Sequence, residues 1–359
     1  MKSRILIDLD GTIAEIEKDV SYKNRKVIKE VADAVKNAVK MGHDVTIFTS
    51  RNMRKYNGNI DKILKYTKPV VLKWLAEKGI QYNDVVFGKT WCGENGYYVD
   101  DRNLHIEEYG FKFNGPYAEE SFDVVVSFYN EENNVKKAHE NNKKLERLLF
   151  IDKYIYVNNG SRDNTYQYLK ELEKYDEKIM VVDIKDNLGY GYGYKSGFRV
   201  SGADNIITNH ADSQFDAYSF LYSNIEELSK YKYMVPNIFP IRKNRPPFDS
   251  FNTIIVKLIV SLIQGRRIRE FNGQPKVIRK RDINGKIELF PDDFTFDLKL
   301  YLSITDNNKL FLSVLQKNRI HGVSTWNFGV MAKIKLFYNY IYFAAKERKR
   351  RINGTKSTI

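Results

Sequence analysis

Short apolar runs that each end in a polar cluster, separated by stretches of helical period, recur over most of the first 216 residues. This alternation limits the fold more than any other feature of the chain. Residues 4–9, 44–48 (DVTIF), 85–87 (VVF) and 97–99 (YYV) read as strands. Residues 24–41, with Val27, Val31, Val35 and Val39 on one face, and 69–78 read as helices. Strands alternating with helices build a parallel sheet covered on both faces. In such sheets the functional groups gather at the carboxyl edge, where strands run into loops.

The residues after each strand are Asp8 and Asp10, then Thr49-Ser50-Arg51, then Lys89, then Asp100-Asp101. Paired acids repel as carboxylates and raise each other's pKa, so a divalent cation is their natural neutraliser. Carboxylate oxygens with open water positions suit magnesium. A lysine and a threonine hydroxyl beside that metal would hold a phosphate, leaving a carboxylate to attack phosphorus.

The stretches IDLDGTI (7–13), TIFTSRN (46–52), VFGKTW (86–91) and YYVDDRN (97–103) resemble, in order, the four motifs of the haloacid dehalogenase superfamily of phosphatases. The resemblance covers residues 1–118 and implies a Rossmann-like fold and Mg2+. It implies Asp8 as nucleophile, forming an aspartyl-phosphate, and Asp10 as general acid and base. Thr49 and Lys89 would bind the phosphoryl group, with Ser50 and Arg51 on the substrate side. Asp100, with Asp101, would complete the metal site with Asp8 and the Asp10 backbone carbonyl. The gaps between motifs hold only a helix or two each, so the domain is expected to be capless. SRNM followed by KTWCGENGYYVDDR is similar to small phosphatases of bacterial capsule clusters, which implies a phosphorylated sugar or glycan as substrate.

Around 114–121 (NGPYAEES) turn residues and lost periodicity mark a boundary, and a second strand-helix series begins. FDVVVSFYNEE (122–132) and KYIYVNNGSRDNTYQYL (153–169) each place a polar turn after a strand, with Tyr129, Glu131 and Asn159 where a nucleotide would lie. NLGYGYGYKSG (187–197) reads as a glycine-rich loop in which Gly189 lets backbone approach a diphosphate and Lys195 supplies charge. IITNHADSQFD (206–216) sets His210, Asp212 and Gln214 at alternate positions, which along an extended segment point the same way. Imidazole, carboxylate and amide oxygen together suit Mn2+ or Mg2+.

These stretches resemble family 2 glycosyltransferases with the glycosyltransferase A fold, in particular the branch similar to dolichyl- and polyprenyl-phosphate sugar transferases. The resemblance covers about residues 120–325 and takes in FNGQPKVIRK (271–280) and NRIHGVSTW (318–326), with Arg319 on the substrate side. It implies a nucleotide-diphosphate sugar donor, a divalent metal on the diphosphate and inversion at the anomeric carbon. Asn158-Asn159 stand where the family has paired aspartates, and His210 replaces the first aspartate of the metal segment. PDDFTFD (291–297) offers Asp292 and Asp293, and further on Asp297, as deprotonating base. A base is needed only for a hydroxyl acceptor; a phosphate acceptor needs positioning cations instead. The residues leave both open.

The net charge of +14 sits in the last third: residues 242–359 carry 24 Lys and Arg against 9 Asp and Glu. Such a surplus favours a polyanionic partner, and without a nucleic-acid motif an anionic membrane surface or a lipid phosphate is expected rather than nucleic acid. Phe251, Ile254, Ile255, Leu258, Ile259, Leu262 and Ile263 form an apolar stripe ended by Arg266, Arg267 and Arg269. Residues 330–345, aromatic-rich with Lys333 and Lys335, run into the basic tail KERKRR. No run reaches the ~20 apolar residues of a bilayer span. One cysteine, Cys92, and no charged-then-apolar leader give a cytoplasmic expectation, at the inner face of the membrane.

The chain is therefore read as a two-domain α/β enzyme of surface-polysaccharide assembly. Its parts are a phosphatase domain (1–118), a glycosyltransferase domain (119–328) and a C-terminal amphipathic helix with basic tail (329–359), with polyprenyl phosphate as an acceptor and a homo-oligomer as an assembly. The rival reading is a regulatory or scaffold protein whose sites only bind sugar phosphates.

Overall fold

The computed structural model describes residues 2–16, 20–93, 103–231, 236–244, 247–317 and 329–356. The chain divides into two compact units, Met1–Ala118 and Glu119–Ile359. Both are mixed α/β structures with parallel strands.

In the first unit β1 (Arg4–Ile7), β2 (Asp44–Thr49) and β3 (Asp84–Phe87) form a parallel sheet in the order β1-β2-β3. The expected fourth strand at 97–99, and Asp100 and Asp101 with it, lies outside the described residues. Helix α1 spans Lys29–Lys40, α2 Ile60–Tyr66, α3 Lys68–Glu77 and α4 Ile106–Asn114. The expected helix at 24–41 begins late because residues 25–28 run extended, with Val27 bridged to Ala14. The buried face of α1 is accordingly Val31, Ala34, Val35 and Ala38, the i, i+3, i+4, i+7 set of a helix resting on a core. Each valine buried there contributes roughly 1.5–3 kcal/mol of transfer free energy.

In the second unit seven strands lie in the order β10-β8-β9-β7-β4-β5-β6. They are β4 (Ser121–Phe128), β5 (Phe150–Asn159), β6 (Ile179–Ile184), β7 (Asn205–His210), β8 (Asn237–Lys243), β9 (Lys276–Arg279) and β10 (Lys309–Leu315). All neighbours pair in parallel except β9, which runs against β7 and β8. The central strands are buried on both faces, as Val124, Val125 and Val126 show at 0% exposure. Helices α5 (Val135–Lys143), α6 (Thr165–Tyr175), α7 (Tyr190–Val200), α8 (Ala217–Tyr222), α9 (Ile225–Ser229), α10 (Pro247–Gln264), α11 (Lys280–Ile283), α12 (Phe296–Ser303) and α13 (Gly329–Lys356) complete it.

The glycine-rich segment is not a loop. It forms α7, and its glycines serve packing: a Cβ on Gly193 would meet Ser127 Oγ at 2.3 Å, and one on Gly197 would meet Val125 Cγ1 at 2.4 Å. Glycine inside a helix costs up to about 1 kcal/mol against alanine. Here that cost is offset by the close seating of α7 on β4. Helices α10 and α13 pack on each other and share the core cluster through Val260, Tyr340 and Ala344.

Candidate active sites

In the first unit the three parallel strands bring Asp8, Thr49 and Lys89 to one edge. Asp8 directly follows β1, Thr49 ends β2, and Lys89 follows β3 through Gly88, whose φ of +97 few other residues adopt. Lys89 Nζ stands 3.4 Å from Asp8 Oδ2, and the Lys89 amide donates to the Thr49 carbonyl at 3.1 Å. Burial pushes the Asp8 carboxyl above its ordinary range, with Lys89 opposing the shift. The Thr49 hydroxyl, buried, accepts from the Arg51 amide at 3.0 Å.

Asp10 is held by two arginines. Arg51 donates Nε to Oδ2 at 3.0 Å and Nη2 to Oδ1 at 2.5 Å, a fork-on-carboxylate pair, and Arg25 Nη1 donates to Oδ1 at 2.7 Å. Both guanidiniums lie on the ring of Tyr22, at 4.5 Å for Arg25 and 4.4 Å for Arg51. Arg51, expected to face substrate, is thus a buried partner of Asp10, while Ser50 is half-buried beside it. Arg25 and Tyr22 carry no motif signal: Arg25 reaches Asp10, with Tyr22 against its guanidinium, because the loop bridged to Ala14 folds back, and Trp74 Nε1 donates to the Arg25 carbonyl at 3.1 Å.

In the second unit the adjacent parallel strands β7, β4 and β5 end side by side, so His210, Tyr129 and Asn159 share one sheet edge. The loops after β4 and β5 are stapled together. The Asn130 amide donates to Ser161 Oγ at 3.1 Å, the Arg162 amide to Asn130 Oδ1 at 2.8 Å, and the Glu131 amide to Thr165 Oγ1 at 2.9 Å. The Glu131 carboxylate accepts from Asn134 Nδ2 at 2.5 Å, and Tyr129 is half-buried. Asn158 Nδ2 donates to Asp183 Oδ1 at 2.8 Å, so a carboxylate from β6 stands beside the asparagine pair. Nothing in the sequence linked Asp183 to Asn158; the β5-β6 register does. Asn159 Nδ2 donates to the Gly189 carbonyl at 3.0 Å, and its Oδ1 is buried without a donor among the described residues.

His210, Asp212 and Gln214 do not keep strand alternation. β7 ends at His210, and Ser213 takes a φ of +57, which turns the chain. Asp212 Oδ1 accepts the Gln214 amide at 3.1 Å, whereas Gln214 Nε2 reaches the Lys317 carbonyl at 3.4 Å. His210 is half-buried and Asp212 buried, and the Gln214 contact to Lys317 uses the amide nitrogen and leaves the amide oxygen out of it. Burial lowers the His210 pKa, with Asp212 and Asp297 pulling against it. Among the described residues no three of His, Cys, Asp and Glu converge into a ready cation cage.

The acids of 291–297 take three separate roles. Asp292 Oδ1 pairs with the buried Lys195 at 2.5 Å, so the Lys195 charge meets Asp292. Asp293 Oδ1 turns back to the Thr295 amide at 2.8 Å and hydroxyl at 2.5 Å. Asp297 is buried, accepting from Lys276 Nζ at 2.9 Å and from the Tyr190 hydroxyl at 3.0 Å; that hydroxyl also lies 3.4 Å from His210 Nε2. Gly189, with a φ of +115, closes against the Asp292 carbonyl, 2.4 Å from where a Cβ would stand. Arg319 lies outside the described residues.

Residues 5–72 match the family model of haloacid dehalogenase-like hydrolases, and residues 123–284 that of glycosyl transferase family 2. The chain is 24% identical over 212 residues to "Putative glycosyltransferase CsbB" of Bacillus subtilis, covering 57% of this chain and 61% of the relative. It is 24% identical over 148 residues to "Uncharacterized glycosyltransferase YkcC" of the same organism, covering 40% and 44%. It thus spans less than two thirds of the length of either relative. A crystal structure of a structural-genomics target from Vibrio cholerae is 33% identical over 30% of this chain and 87% of that one, with a TM-score of 0.29. Glucosyl-3-phosphoglycerate synthase from Mycobacterium tuberculosis, in complex with Mn2+, UDP and phosphoglyceric acid, is 11% identical over 64% and 79%, with a TM-score of 0.47. The chain joins a haloacid dehalogenase-like hydrolase region to a family 2 glycosyltransferase domain.

Proposed function

We propose that the chain is a bifunctional enzyme of bacterial surface-polysaccharide assembly, with a phosphatase in residues 1–118, a sugar transferase in residues 119–328 and a C-terminal helix with basic tail in 329–359. The observation that carries the phosphatase reading is the meeting of Asp8, Thr49 and Lys89 on one sheet edge, with Lys89 Nζ 3.4 Å from Asp8. In this reading an Asp8 oxygen attacks the phosphorus of a phosphorylated sugar or glycan. The P–O bond to the sugar breaks, and the departing oxygen takes a proton from Asp10. Water, deprotonated by Asp10, then hydrolyses the aspartyl-phosphate. Lys89 and Thr49 hold the phosphoryl oxygens. The hard oxygens of Asp8 and of the Asp10 carbonyl suit Mg2+, which would offset the charge of the phosphoryl group.

The transferase reading is supported by the family 2 match over 123–284 and by the polar edge of β7, β4 and β5. The unsatisfied Asn159 Oδ1 offers an acceptor to a ligand hydroxyl or N–H. His210 and Asp212 form an N,O pair suited to Mn2+ or Mg2+, a cation that would neutralise the diphosphate of a nucleotide-sugar donor. The sugar then passes to a lipid phosphate or glycan acceptor with inversion, and the basic last third keeps the enzyme at an anionic membrane surface. No described helix is long and apolar enough to cross a membrane. The test is a panel of nucleotide sugars incubated with the full chain, Mn2+ and a polyprenyl phosphate. One donor should give transferred sugar, and Asp212→Asn should abolish it. Transfer that is unchanged in Asp212→Asn would remove Asp212 from the site.

A further inference from the structure

The ends of α10, α12 and α13 line a half-open cavity of about 430 Å3 that neither proposed site uses. Its walls carry Gln264, Arg266, Lys299, Glu347, Arg350 and Arg351. The cations there outnumber the acids that hold them. Lys299 Nζ and Arg350 Nη1 share the single carboxylate of Glu347, at 2.5 and 2.9 Å. Arg266 Nη1 and Lys309 Nζ share that of Asp306, at 2.9 and 2.7 Å. Arg266 Nε is buried and has no acceptor among the described residues. The Gln264 carbonyl accepts from Arg348 at 3.0 Å and Arg351 at 2.9 Å, which fixes α13 against the end of α10.

The surroundings of this basic pocket are apolar and open. Ile254, Leu258 and Leu262 follow at i, i+4 and i+8 along α10 and are 47%, 60% and 81% exposed, and the stripe ends one turn before Arg266. Leu289, 64% exposed, stands at the cavity itself. A soluble anion has no use for such a rim, whereas an amphiphile matches both parts. We propose that the cavity seats the phosphoryl headgroup of an anionic lipid, with the α10 stripe and Leu289 lying against the acyl-chain boundary. The proposal deepens the reading of this unit as a membrane-surface transferase by naming the residues that hold the lipid.

The experiment is co-sedimentation of the full chain with phosphatidylcholine vesicles, with and without phosphatidylglycerol, alongside thermal melts and transfer assays on soluble acceptors. Wild type should bind the phosphatidylglycerol vesicles alone. Arg266→Gln with Arg350→Gln should weaken that binding by more than the about 25-fold that two near-surface charges are worth at about a factor of five each. Lys346→Gln with Lys349→Gln removes two exposed charges of the same helix that do not line the cavity, and should weaken it less. Leu262→Ser should weaken it with both charge sets intact. Equal losses in the two charge pairs, equal binding to both vesicle types, or full displacement by inorganic pyrophosphate would overturn the assignment. Sugar transfer without vesicle binding would leave the transferase standing and sink the lipid site; vesicle binding without transfer would do the reverse.

Discussion

Replacing Lys276 by Met tests how the second unit supports its site. Lys276 is 0% exposed, and its ammonium donates to Asp297 Oδ1 at 2.9 Å, while Asp297 Oδ2 accepts from Tyr190. The Gln274 amide, with its oxygen 3.1 Å from Lys276 Nζ and its nitrogen 2.6 Å from Thr208 Oγ1, completes the group. Burial lowers the Lys276 pKa, and Asp297 is the main force holding the proton on. Deleting one partner of such a pair leaves an uncompensated buried charge and costs about 3–5 kcal/mol. The unit spans 241 residues, from 119 to 359. At roughly 2–4 °C per kcal/mol for that size, Lys276→Met or Asp297→Leu alone should lower its melting transition by about 6–20 °C. The double variant should recover most of this, keeping a deficit of about 1 kcal/mol for the Tyr190 hydroxyl left without its acceptor. Calorimetry on the full chain separates this transition from that of the first unit. Single losses under about 2 °C, or a double variant equal to the sum of the singles, would refute the pairing argument.

Two further outcomes rest on the same packing and burial. A Cβ on Gly191 would stand 2.2 Å from the Pro291 carbonyl oxygen, so Gly191→Ala should cost about 1–3 kcal/mol and displace the loop bearing Asp292. Sugar transfer should fall with it, whereas Gly202→Ala, with nothing within 4 Å, should leave both stability and transfer unchanged. Burial lowers the pKa of His43, with Lys112 adding to the shift, and of His139, with Lys143 adding and Asp176 opposing. A folded-state histidine pKa below the unfolded value means that the unfolded chain binds protons first as pH falls. Both units should therefore be fully stable above about pH 6.5 and lose stability below it. Melting temperatures flat from pH 7 down to pH 5 would contradict this.

The strand-helix alternation and most strand ends are legible in the sequence because they depend on local period and on the polar residues that close each apolar run. Asp8, Thr49 and Lys89 come to one edge simply because their strands run parallel. The start of α1 departs from the expected position because Val27 keeps the helical spacing, yet its backbone bridges to Ala14, a partner no local pattern records. The glycines of α7 read as ligand-binding for a similar reason: glycine marks any close approach, and here the approach is by β4 and the 291–293 loop. The alternation drawn through Gln214 fails at the Ser213 turn. Arg25 and Asp183 escape sequence reasoning because each is placed by tertiary pairing, Arg25 through a folded-back loop and Asp183 through a neighbouring strand.

A paired assay on Asp8→Asn tests whether two separate catalytic sites share this chain. Phosphate release from a panel of sugar phosphates with Mg2+ and sugar transfer from the active nucleotide sugar are followed in the same preparation. Asp8→Asn should lose phosphate release by at least about a hundredfold, the scale of a missing nucleophile, while transfer stays at the wild-type rate. Phosphate release that survives the substitution would remove Asp8 as the nucleophile, and transfer that falls in step with it would mean that the two sites are not separate.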